Sequence, residues 1–209
     1  MVAIASRPRV ARAARAACAA LVVAALTGAC DTKAQFAPSL PAAAGFRVDD
    51  GVLKVWTGTP CDGVFRVTVL FDTGTKDSTT QEWTAPKPGV RLERMDLLRN
   101  AGGPSTRMSP GASSTGSLSG SPDAGGLQVT TPLPVGYDWA KAGWLNFSVS
   151  GPPSWGARVE VARVLRESSQ HPAGSYLFGD RGWMDASDVQ RENRTSFLTM
   201  CTPDPKTSR

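Results

Sequence analysis

Residues 65–75 read Phe65-Arg66-Val67-Thr68-Val69-Leu70-Phe71-Asp72-Thr73-Gly74-Thr75. Phe65, Val67, Val69 and Phe71 alternate with Arg66, Thr68 and Leu70. A two-residue period places successive side chains on opposite faces, so this stretch predicts a strand with one face in a core. Asp72, Thr73 and Gly74 then supply turn chemistry, and Gly74 provides a residue free to adopt positive φ. A second strand is expected at Thr79–Trp83, which makes the Asp72–Ser78 segment a hairpin loop.

The same alternation recurs along the chain. Leu53 and Val55 alternate with Val52, Lys54 and Trp56. Leu145, Phe147 and Val149 alternate with Asn146, Ser148 and Ser150, and Val159 and Val161 with Arg158 and Glu160. Shorter strands are expected at Val90–Arg94, Leu127–Thr130, Ser175–Phe178 and Ser196–Met200. Gly58-Thr59-Pro60, Pro86-Lys87-Pro88-Gly89 and Gly151-Pro152-Pro153 punctuate them. One helix is expected over Ala186–Asn193, with Asp185 as its N-cap and Asp188 in its first turn. Roughly nine short strands at turn-rich spacing predict a mainly β protein, an antiparallel β-sandwich or barrel. Residues 100–126 are almost entirely Gly, Ser, Pro, Ala and Thr. They offer too little apolar surface to offset ordering and read as a long disordered insertion in a single domain over residues 45–203. The alternative is two small domains on either side of that segment. Residues 204–209 read as a flexible tail.

The first thirty residues have another logic. Arg7, Arg9, Arg12 and Arg15 precede an apolar run from Ala16 to Leu26, and Leu26-Thr27-Gly28-Ala29-Cys30 follows. A basic start, a short apolar middle and small residues at a cleavage site describe a signal peptide over residues 1–29, its apolar run being too short to span a bilayer; the alternatives are ordinary secretion with a free Cys30 and an anchor that is never cut. The cysteine at the cut resembles the lipobox of bacterial lipoproteins. That resemblance covers residues 1–30 only. It implies a diacylglycerol on Cys30, attachment to the outer face of the bacterial cytoplasmic membrane, and two chains where one would hold only marginally. Residues 30–44, small and proline-bearing, read as the lipidated N-terminus and tether. In style the body is similar to uncharacterised lipoproteins of actinobacteria.

Charge excludes one class of partner. The chain carries 23 Lys and Arg against 18 Asp and Glu. Removing the four signal arginines leaves 19 against 18, a net of +1, with no electrostatic footprint for nucleic acid. Four cysteines reduce to one pair: Cys18 lies in the expected signal and would leave with it, and Cys30 is the candidate lipid site. Cys61 and Cys201 are expected to form a disulfide in an exported protein, the alternative being two buried thiols. Two cysteines and one histidine, His171, do not make a structural zinc site, and no metal or cofactor is called for.

Two groups of residues invite a chemical reading. Leu70-Phe71-Asp72-Thr73-Gly74-Thr75 resembles the active-site turn of aspartic proteases, which implies a catalytic carboxylate at Asp72. The chain lacks the second Asp-Thr/Ser-Gly that a two-lobed protease needs, so Asp72 is a weak candidate beside the simpler reading of a hairpin turn. Six tryptophans are many for this length. Trp56 and Trp83 fit core positions, whereas Trp155 and Trp183 lie in loop-like sequence and are candidates to stack on a ligand. The favoured function is a membrane-anchored, non-enzymatic binding protein with a cell-envelope protein or glycan as partner. A hydrolase centred on Asp72 and a carbohydrate-binding module using loop tryptophans are the alternatives.

Overall fold

The computed structural model describes residues 38–99 and 126–206. The predicted signal peptide, Cys30, most of the predicted tether, residues 100–125 of the Gly/Ser-rich insertion and residues 207–209 lie outside them.

The described residues form two antiparallel five-stranded sheets and a two-stranded parallel pair. The first sheet runs β11 (Trp183–Met184), β10 (Tyr176–Leu177), β2 (Gly45–Asp49), β3 (Val52–Val64), β6 (Val90–Arg99). The second runs β7 (Gln128–Thr131), β5 (Thr79–Thr84), β4 (Arg66–Phe71), β8 (Trp144–Ser150), β9 (Ala157–Glu160). β1 (Ala42–Ala43) pairs in parallel with β12 (Leu198–Thr199). The sheets pack face to face as a β-sandwich. The hairpin expected after Phe71 is present, with Phe71 opposite Thr79 in the register of β4 and β5.

The alternation read in the sequence fills the core from both layers. β4 contributes Val67, Val69 and Phe71, and β8 contributes Leu145, Phe147 and Val149. The first sheet adds Phe46, Leu53, Val55 and Leu92. Phe46 meets Phe147 edge-on across the layers, with ring centroids 6.2 Å apart, an arrangement favoured by the ring quadrupoles. A second apolar cluster of Trp56, Tyr176, Phe178, Met184, Val189 and Phe197 forms around the opposite phase of β3.

Phe65 alone separates β3 from β4, so the chain changes sheets at one corner. β3 reaches that corner through register shifts between Trp56 and Cys61 and between Cys61 and Val64. Gly89 approaches the backbone of Gly63 so closely that a Cβ there would sit 2.6 Å from its carbonyl carbon. A Cβ on Gly151 would land on the Gly63 carbonyl oxygen.

The chain's other turns differ in part from expectation. Ala157–Glu160 is a strand, but from Val161 the backbone turns helical, over Val161–Glu167, where alternation predicted more strand. The Ala186–Glu192 helix begins as expected: Asp185 accepts from the Ser187 and Asp188 amides, and the Asp188 carboxylate accepts from the Asp185 amide. Cys61 and Cys201 form the expected disulfide across 140 positions, with Cα atoms 5.4 Å apart. Near it, the end of the predicted tether is bound to the body. The amide and hydroxyl of Ser39 both donate to the Asp204 carboxylate, at 2.6 Å each. Asp204, read as the start of a flexible tail, is buried.

Candidate functional site

An open groove of about 630 Å³ lies over the outer face of the second sheet. Its floor comes from the outward phase of the same alternation that fills the core: Thr68 and Leu70 on β4, then Trp144, Asn146 and Ser148 on β8. Arg158 on β9 pairs in register with Asn146. Pro41–Ala43 and the helical turn Gly179–Arg181 also line the groove.

Trp144 dominates the floor. It is 42 % exposed, one of few large apolar side chains left to solvent among the described residues. The Arg158 guanidinium lies over the indole, 4.1 Å from the ring centroid, a cation–π contact that orients both groups. Neither Arg158 nor Arg181 forms an ion pair with a described residue, and Asp180 is the acidic side chain in the lining. The groove therefore carries two cationic side chains against one anionic side chain.

The Asp72 turn stands at the end of this site and holds it. Asp72 Oδ1 accepts from the Gly143 amide at 2.8 Å and the Trp144 amide at 3.0 Å. The Asp72 amide donates back to the Trp144 carbonyl. Thr73 Oγ1 accepts from Asn146 Nδ2 at 2.8 Å. Asp72 itself sits at φ +46°, a left-handed conformation in which Asp is several-fold enriched. The Asp72 turn thus positions Trp144 and Asn146. Tyr137 adjoins it, its ring 5.6 Å from that of Phe71. Burial, reinforced by the nearby Asp72, Asp77 and Asp138 carboxylates, pushes the Tyr137 hydroxyl above its ordinary pKa of 10.0. Among the described residues no group of three or more His, Cys, Asp or Glu is placed to hold a metal ion.

The two tryptophans singled out in the sequence lie elsewhere, and neither lines the groove. Trp155 is half-buried, its amide donating to the Met200 carbonyl and its indole N–H to the Thr202 carbonyl. Trp183 lies flat against His171, with centroids 4.4 Å apart and planes at 14°. Its indole N–H donates to Glu167 Oε2. That bond, with Arg163 and Arg166, holds the Glu167 carboxyl below its ordinary value of 4.5. Arg47, buried beside this stack, donates to the carbonyls of Pro172 and Ser175 and to Asp49. Both indoles therefore tie loops to the body.

The signal that finds Trp144 is present in the sequence. In a strand where Leu145, Phe147 and Val149 face inward, Trp144 must face out. A large apolar residue on the solvent phase of a strand needs an explanation that one in a loop does not. The partnership with Arg158 and the Gly179–Arg181 wall is tertiary and has no local signature.

No protein-family model, curated protein or solved structure matches this chain. No helix among the described residues is long and apolar enough to cross a membrane.

Proposed function

We propose that this protein is a lipid-anchored, non-enzymatic binding protein of the bacterial cell envelope, held through Cys30 to the outer face of the cytoplasmic membrane. Its ligand occupies the groove over the second sheet. The observation that carries the binding role is the exposed Trp144 beneath Arg158 in an open, pre-formed groove. Aromatic platforms with a few convergent polar groups are the usual composition of a ligand site. The anchor is supported by Arg7 to Arg15, the Ala16–Leu26 run and the small residues before Cys30. A disulfide between Cys61 and Cys201 fits an oxidising compartment.

Two comparisons test the reading. Cells fed a clickable fatty acid label the wild-type chain, which partitions into detergent, and neither holds for Cys30→Ala. Equal partitioning of the two would remove the anchor. For the binding role, the full chain is sedimented with isolated, delipidated cell envelopes. Trp144→Ala sediments much less than wild type, and equal sedimentation would remove the groove from the function.

A further inference from the structure

We infer that the groove binds an acidic saccharide, with the half-exposed Trp144 as its apolar contact and Arg158 and Arg181 as carboxylate clamps. The inference rests on the binding role proposed above and names the ligand's chemistry. Three observations carry it. First, the half-exposed indole shares the groove with the polar side chains of Asn146, Ser148 and Thr68. A groove that offers both an apolar ring surface and short hydroxyl and amide groups suits a sugar ring, which has an apolar C–H face and a rim of hydroxyls that donate and accept.

Second, the two arginines outnumber the lone Asp180, and neither is neutralised by an ion pair with a described residue. Third, the Arg158 guanidinium carbon lies over the indole, 4.1 Å from its centroid. A guanidinium held by a cation–π contact and by no carboxylate keeps N–H donors to grip a ligand carboxylate with two parallel bonds. The indole thereby holds the arginine ready at the site where a uronic-type carboxylate would sit. A neutral sugar would leave that fork unused.

The test is a tryptophan-fluorescence titration of the full chain with short oligogalacturonates, repeated with the same chains fully methyl-esterified and with poly-glutamate. The expected result is binding of the acidic saccharide that weakens as salt is raised. The ester and poly-glutamate bind clearly less well. Arg158→Ala and Arg181→Ala each weaken oligogalacturonate about tenfold more than they weaken the ester, roughly one charge-assisted contact. Trp144→Phe retains part of the binding that Trp144→Ala loses, followed by calorimetry because the reporter indole is gone. Near-UV circular dichroism confirms that each variant is folded. Equal binding of the ester, or arginine variants that bind oligogalacturonate like wild type, would overturn the acidic class while the groove stands. Equal, Trp144-dependent binding of poly-glutamate would overturn the saccharide class. If Trp144→Ala also sediments normally with envelopes, the underlying binding role falls as well.

Discussion

Asp72 carries two duties at once: its backbone adopts a left-handed conformation, and its carboxylate accepts from the amides of Gly143 and Trp144. Substitutions separate them. Asp72→Asn keeps a side chain that tolerates positive φ and an oxygen that accepts, so stability and ligand binding change little. Asp72→Ala loses both, lowers stability by about 1 kcal/mol in urea unfolding, and weakens binding because Trp144 loses its fixed backbone. A hydrolase would show the opposite pattern, with the Asn variant inactive and well folded. Half of this was legible. Asp-Thr-Gly after an alternating strand announces a turn, because each residue type has a local reason to be there. The acceptor role was not, because Gly143 lies 71 positions away and nothing near it in sequence calls for a carboxylate.

Strands with a strict apolar phase were the most readable elements. β4 and β8 bury alternate residues, and the inward set could be named from the sequence alone. Elements whose conformation is set by long-range packing were not. Val161 continues the alternation of Val159, yet it opens the Val161–Glu167 helix, where Val161 and Val164 are buried on a helical period. Val161 ends a spacing of two from Val159 and starts a spacing of three to Val164, so it fits a strand read backwards and a helix read forwards. The parallel pairing of β1 with β12 was equally hidden, since a two-residue Ala-Ala strand has no period to read. The corner between the sheets depends on glycines that look like ordinary loop residues. Gly151 has φ +132° and stands against the Gly63 carbonyl. Gly151→Ala therefore combines backbone strain with a backbone clash and is expected to lower stability by on the order of 3 kcal/mol or to block folding. Gly74→Ala, at φ +86° but with open space around it, meets strain alone. The comparison by thermal melting separates the two effects.

Across the molecule, the Cys61–Cys201 bridge ties the C-terminal segment to β3. Replacing both cysteines with alanine should lower unfolding stability by roughly 2–5 kcal/mol, seen as a shift in the denaturant midpoint. The double variant isolates the staple without leaving a reactive thiol. Acid should loosen other ties. The Glu167, Asp185 and Asp204 carboxyls all lie below their ordinary values of 4.5, 3.8 and 3.8. The leading causes are the Trp183 indole N–H, the Ser187 hydroxyl and the Ser39 hydroxyl, respectively. A lowered pKa means the folded state holds the charged form more tightly. Their contribution is therefore full above those ordinary values and fades as pH falls through the lowered ones. Melting temperatures taken on descending pH should drop across that window, and less steeply in Ser39→Ala. Ser39 also fixes where the chain leaves the body. Between Cys30 and the first described residue, Pro38, there are eight peptide steps, a leash of at most about 28 Å when fully drawn out. Pro41–Ala43, a few residues further on, are a wall of the groove itself. If Cys30 carries the proposed lipid, that length caps how far the body's entry point can stand from the acyl group, and the molecules within reach of the proposed groove are those that pass close to the bilayer or are rooted in it.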